Sequence, residues 1–427
     1  MTRSLLIRGG EIVDPDGRRR ADVLVRDGHI AAVAESFDDA EADVVVDAEG
    51  AVVASGFVDL ATHVDEPGPA AADTVSSAAW GAAAGGFTTI HVLPDTDPAV
   101  DDPSVVRDIE RCAVGSPVAV RVVGALTKGR AGAELAPLRE LRDVGVTRFT
   151  DGRAVRDVGL LRRLLDYASC LDIGVVLHPE CADLGPNGVM NEGVVSSRLG
   201  VAGRPAVAEE LGVSRDLAVA RLAGTPVHFS RVTTAAALDA IAAAKAAGQP
   251  VTCDVTSHHL VATDDWCAGF DTATRVEPPL RTEADVAAVR ARIADGTVDA
   301  IVTDHRAVVP EDKEMPFDHA SPGSLGLETA FAAAWSALDV SIEHLLRLLS
   351  WQPAQLARLG PGRDGRVVEG NVADLVVLDL EQTWTVSGQR MISPSHNSLH
   401  EGRTLTGSVR HTIAAGLPVV LDGEVTR

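Results

Sequence analysis

At 427 residues the chain exceeds what one hydrophobic core usually serves, so a large domain with a smaller companion is expected. A formal charge of -23 excludes nucleic acid and anionic membranes as natural partners, because both demand basic patches. No apolar run reaches the roughly 18 residues a membrane helix needs, and the start Met1-Thr2-Arg3-Ser4-Leu5-Leu6-Ile7-Arg8 has no signal-peptide core, so a cytoplasmic protein is expected.

Residues 1–54 carry short alternating runs, Ser4 to Arg8, Ala21 to Arg26 and His29 to Val33, separated by the turn signals Gly9-Gly10, Pro15-Asp16-Gly17 and Asp27-Gly28. They read as the first part of a small β domain. The C-terminal stretch 359–427 has the same style, with strands expected over Ala373 to Leu378 and Val409 to Gly416. Each end alone would leave an apolar sheet face exposed, so the two are expected to form one β-sandwich. Between them, over 55–358, strands and helices alternate. Strands are expected at Thr88 to Leu93, Val118 to Val123, Gly174 to His178, Pro226 to Phe229, Val251 to Val255 and Ala300 to His305, with a helix over Thr234 to Ala247 among the connections. Repeated units of this kind favour a closed (β/α)8 TIM-type barrel, whose chemistry sits at the C-terminal strand ends.

Five cysteines, Cys112, Cys170, Cys181, Cys253 and Cys267, are an odd number without Cys-x-x-Cys spacing. They read as reduced, mostly buried thiols rather than a disulfide framework or a zinc ribbon.

One stretch carries a specific likeness. Gly56-Phe57-Val58-Asp59-Leu60-Ala61-Thr62-His63-Val64-Asp65-Glu66-Pro67-Gly68 resembles the first barrel strand of the cyclic amidohydrolases, most closely the dihydroorotases, where Asp-x-His-x-His-x-Arg-Glu-Pro-Gly follows Gly-Phe-x-Asp. Phe149-Thr150-Asp151-Gly152, Leu177-His178-Pro179-Glu180, His228-Phe229-Ser230-Arg231-Val232-Thr233-Thr234 and Thr303-Asp304-His305-Arg306-Ala307-Val308 match later motifs of the same family. So do Thr256-Ser257-His258-His259-Leu260 and Pro322-Gly323-Ser324-Leu325-Gly326-Leu327-Glu328, and the likeness spans essentially the whole chain. It implies the amidohydrolase barrel with its accessory β-sandwich. In the family, two zinc ions activate a bridging water and polarise a cyclic amide.

The resemblance also marks departures. Of the implied ligands, His63, Asp151, His178 and Asp304 are present, whereas Ala61 and Arg231 stand where histidines are expected. A guanidinium offers donors only and repels a dication, so Arg231 is expected in the metal space, paired with Asp151 or Asp304. The cofactor expectation is accordingly no zinc or substoichiometric zinc, without the standard binuclear site. At the implied substrate contacts, Asp65 replaces an arginine, and Asp95 and Glu277 replace asparagines, with His305 nearby. Three acids would repel the anionic dihydroorotate, although a generally acidic composition offers a plainer account of them. His258 and His259 read as structural.

The leading functional expectation is a dihydroorotase-like protein that has lost standard two-zinc chemistry and serves as a non-catalytic subunit in pyrimidine biosynthesis. The resemblance implies aspartate carbamoyltransferase or an active dihydroorotase as its partner, and a homo-oligomer is expected. One alternative is a repurposed enzyme, with Asp304 as general acid or base and Arg231 as fixed electrophile, acting on a cationic cyclic amide, ureide or amidine. The other is an active zinc dihydroorotase.

Overall fold

A computed structural model describes residues 4–39 and 42–426. Eight strands line its barrel: Phe57–Thr62, Phe87–Val92, Ala119–Val122, Arg148–Phe149, Gly174–Leu177, Val227–Phe229, Val251–Thr256 and Ala300–Val302. Neighbours pair in parallel, and single bridges from Gly124 to Phe149 and from Thr62 to His305 close the ring. The fourth strand escapes pattern reading because it is two residues long, with one apolar residue. Tertiary pairing supplies it: Gly124 N–H donates to the Arg148 carbonyl at 3.0 Å, and Thr150 N–H donates to the Gly124 carbonyl at 2.9 Å.

The outer helices follow from apolar spacing and caps. In Val158–Leu171, the buried Leu160, Leu161, Leu164, Leu165, Ala168 and Leu171 fall on one face, and Asp157 caps the start by accepting from Leu160 N–H at 2.9 Å. The alanine-rich helix forms over Ala235–Ala246 and buries Ala237, Leu238 and Ile241.

Strands from both chain ends share one seven-stranded sheet: Val52–Ser55 lies between Glu11–Asp14 and Leu375–Thr385. A second sheet of four strands packs on it, and Ile7, Ile12, Val23, Val53, Leu375 and Ile413 fill the space between. The late strands run further than their apolar cores suggest, Leu375–Thr385 and Thr404–Ala414, because Thr383 to Thr385 go on pairing with Thr404 to Thr406. Trp335 Nε1 donates to the Leu380 carbonyl at 3.1 Å and ties this hairpin to the helix Ala330–Ala337. Among the described residues, no helix is long and apolar enough to cross a membrane. Cys253 and Cys267 are buried as expected, but Cys170 is exposed and Cys112 and Cys181 are half-buried.

Candidate functional site

The first and last barrel strands are joined by Asp59, which accepts from Thr303 N–H at 2.8 Å, Thr303 Oγ1 at 2.8 Å and Thr62 Oγ1 at 2.5 Å. Just beyond, His63 N–H donates to the His305 carbonyl at 2.9 Å. This registration brings His63 against Asp304, with Nε2 3.3 Å from Oδ1, while His63 Nδ1 lies 2.7 Å from Asp95 Oδ2.

Arg231 follows the sixth strand and reaches the same point. Its Nη1 donates to Asp304 Oδ1 at 2.9 Å, and its Nη2 donates to the Gly152 carbonyl at 3.0 Å and approaches His178 Nδ1 at 3.5 Å. Both members of the pair are nearly buried, at 5% and 8% side-chain exposure. Both also adopt left-handed backbone, φ 59° for Arg231 and 46° for Asp304, which is uncommon for non-glycine residues. Of the two expected partners for Arg231, the structure selects Asp304. Asp151 is turned away: Oδ1 accepts from Leu126 and Thr127 N–H, each at 2.9 Å, and Oδ2 accepts from Thr127 Oγ1 at 2.5 Å.

The charges settle accordingly. Burial alone would raise the Asp304 carboxyl, but the Arg231 guanidinium and His63 hold it well below the usual carboxylate range. Burial opposes a charge on His63, yet Asp95 and Asp304 together outweigh it and hold the imidazole above its ordinary value. His178 is pulled down to about 3 by burial and by the cations Arg231 and Arg204, so it is neutral. Asp304 as a freely exchanging acid or base near pH 7 does not fit this setting, because both of its proton forms face a fixed guanidinium.

A cavity of about 330 Å³ opens above these groups, in the size range of small-molecule sites. Its wall corrects the expectation of an acid-lined pocket. Six arginines, Arg130, Arg153, Arg156, Arg204, Arg231 and Arg306, face three carboxylates, Asp95, Glu180 and Glu277. Asp95 is covered by His63 and by Arg306 Nη2 at 3.4 Å, and Glu277 is bound by Arg204, which also meets Glu180 at 3.1 Å. Asp65 does not line the cavity; its carboxylate accepts from Ala72 N–H at 3.2 Å. Nor does His305, which is 2% exposed with Nε2 2.9 Å from Asp73 Oδ2. Among the described residues, no group of three or more His, Cys, Asp or Glu side chains converges as a metal cage.

The five other arginines that set the sign of the pocket, Arg130, Arg153, Arg156, Arg204 and Arg306, are absent from the motif-based site. Arg306 had a signal, since it occupies the position after Asp-His where the family carries alanine. The other four belong to no motif: Arg130 ends the short helical turn Lys128–Arg130, Arg204 sits on the two-residue strand Gly203–Arg204, and Arg153 and Arg156 lie in the connection after the fourth barrel strand.

The family model for Dihydro-orotase-like proteins matches residues 50–237. A dihydroorotase of Anaeromyxobacter dehalogenans (strain 2CP-C) is 40% identical over 435 residues, covering 100% of both chains. One of Pelotomaculum thermopropionicum is 39% identical and covers 98% of this chain and 99% of its own. Among solved structures, the L-hydantoinase (dihydropyrimidinase) from Arthrobacter aurescens superposes with a TM-score of 0.87 at 24% identity, covering 100% of this chain and 98% of that one, a likeness of fold. D-hydantoinase (dihydropyrimidinase) from Thermus sp. gives 0.86 at 24%, covering 99% and 96%. With full-length identity near 40% to these relatives and the barrel they imply, the chain belongs to the dihydroorotase family.

Proposed function

We propose that this chain binds a small carboxylate-bearing cyclic amide, or its ring-opened ureido acid, at the barrel mouth without the family's paired-zinc chemistry. The observation that carries this reading is the Arg231 guanidinium seated on Asp304 beneath an arginine-rich cavity. Two zinc ions call for about six imidazole and carboxylate donors. Ala61 offers none, Arg231 offers only N–H, Asp151 spends both oxygens on the loop at Leu126 and Thr127, and His63 faces a carboxylate on each side. That donor set does not fit a binuclear site.

The chain's own groups suit recognition. Arg130, Arg153 and Arg306 offer a cationic wall to a carboxylate. Arg231, a fixed cation, and His63, whose protonated form Asp95 and Asp304 favour, suit polarisation of an amide carbonyl. The depressed Asp304 and the non-basic His178 give little help to proton transfer near neutral pH, so slow or absent turnover is expected. The open cavity favours a ligand-binding role over a purely structural subunit. In that role aspartate carbamoyltransferase is the partner to seek by co-purification. The competing reading, a working dihydroorotase, is favoured by the full-length identity to proteins so named.

Calorimetric titration of purified protein with dihydroorotate and with its ring-opened acid, alongside elemental zinc analysis, tests the proposal. Saturable binding, zinc well below one per chain and little turnover are expected. Arg306→Gln should weaken binding about tenfold, the effect of roughly 1.4 kcal/mol. Stoichiometric zinc with rapid turnover would establish the competing reading.

A further inference from the structure

We propose a second anion site at the opposite, N-terminal end of the barrel, built on Arg148 and taking a small oxyanion of the phosphate class. Arg148 opens the fourth strand and is 3% exposed. Its Nη1 donates to the Leu356 carbonyl at 2.9 Å, and its Nε is buried without a partner. Among the described residues, no carboxylate forms an ion pair with it within 4.0 Å. The acid whose field it feels, Asp254, is already engaged by His228 Nε2 at 2.8 Å, Ser230 Oγ at 3.3 Å and Arg231 N–H at 2.6 Å. Burial pulls Arg148 down to about 10, so the group is still a cation at neutral pH.

A buried guanidinium with one carbonyl for company is an expensive arrangement, and proteins normally answer it with a counter-charge. Space for one lies beside it. A cavity of about 650 Å³ is lined by Arg148, His228, Lys245, Thr252, Gln355 and Arg358. Lys245 and Arg358 have acids of their own, Asp299 at 2.5 Å and Asp172 at 3.0 Å, so their charges are answered and Arg148 is the cation of this wall left without a counter-charge. The His228 Nδ1 and Thr252 Oγ1 pair, 2.8 Å apart, adds polar groups on the wall. An oxyanion accepts from the vacant Nε–H and a neighbouring Nη of the guanidinium fork. This site is independent of the cavity at the strand C-termini, from which it is separated by the length of the barrel strands.

The test is thermal unfolding of the intact protein with inorganic phosphate titrated against chloride at constant ionic strength, comparing wild type, Arg148→Met and Arg153→Gln. Wild type and Arg153→Gln should show a saturable rise in Tm of about 2–4 °C at phosphate far above Kd, and Arg148→Met should show none while unfolding no earlier than wild type without phosphate. A rise that survives Arg148→Met, or no rise in wild type, overturns the proposal. Should Arg148→Met fail to fold, anomalous diffraction from selenate-soaked wild-type crystals decides instead: density beside Arg148 Nε supports the site, and density confined to Arg130 and Arg153 overturns it.

Discussion

Replacing Arg231 by methionine removes the charge that the barrel mouth is built around. In the parent, Asp304 Oδ1 accepts from Arg231 at 2.9 Å and lies 3.3 Å from His63 Nε2, with both partners of the Arg231 pair less than a tenth exposed. Methionine leaves Asp304 with His63 alone and strips the Gly152 carbonyl of its donor. Breaking one side of a buried pair costs about 3–5 kcal/mol, and this should appear as a fall in the urea midpoint with unchanged slope. Its pH dependence provides a sharper signature. In wild type the depressed folded pKa of Asp304 contributes stability above its unfolded value, lost as pH falls. In Arg231→Met the burial that opposes ionisation is no longer outweighed by the guanidinium, so the deficit should shrink as pH falls from 8 to 5. Adding Asp304→Asn, which tolerates the left-handed backbone at φ 46°, should recover about 2 kcal/mol or more. A loss below about 1 kcal/mol, or a double variant as unstable as the summed singles, would refute the buried-pair argument.

Lys313, which shares no hydrogen-bond partner with Asp304, supplies a second pH test. It is buried, donates to the Thr272 carbonyl at 2.8 Å and the Arg275 carbonyl at 3.3 Å, and is pulled down to about 7 by burial and by Arg275. Between pH 7 and its unfolded value of 10.5 the unfolded chain holds the proton and the folded chain does not, so stability should rise with pH across that window. Lys313→Met should flatten that rise in urea titrations at successive pH values; an unchanged slope would contradict the burial argument. Gly212, in the helix Val207–Ala223, packs where an added Cβ would meet Glu180 N at 2.4 Å. Gly212→Ala should therefore cost about 1–3 kcal/mol and alter ligand affinity by displacing Glu180 from Arg204, both measurable by denaturation and calorimetry. The double variant Ala61→His with Arg231→His should take up zinc in elemental analysis where the parent does not. Failure to do so would count against the positional matching of these residues to the family's ligands.

The site was only partly legible in sequence. His63, His178, Arg231 and Asp304 could be placed because each sits in a motif at a strand end, and the structure brings these four together. Which acid Arg231 would choose could not be read, because Asp151 and Asp304 are equivalent until the loop at Leu126 and Thr127 folds over Asp151. The sign of the pocket was misread for a related reason. Asp95 and Glu277 looked like bare acids in the chain, yet their partners Arg306 and Arg204 lie on other elements, and charge pairing across a barrel mouth leaves no local trace. His305 was adjacent to the site in sequence and is turned toward Asp73 in space.

By itself the sequence determined the alternation of strand and helix, the β-style of both chain ends and the family's motif order. These depend on local periodicity and on residues close in the chain. Tertiary structure alone decided the closure of the ring, where a two-residue fourth strand exists only because the strand Gly174–Leu177 and Gly124 pair with it on either side, and the fusion of both ends into one sheet. It also decided the electrostatics of the mouth. Burial and distance set whether a charge is bare or paired, and both are properties of the folded chain.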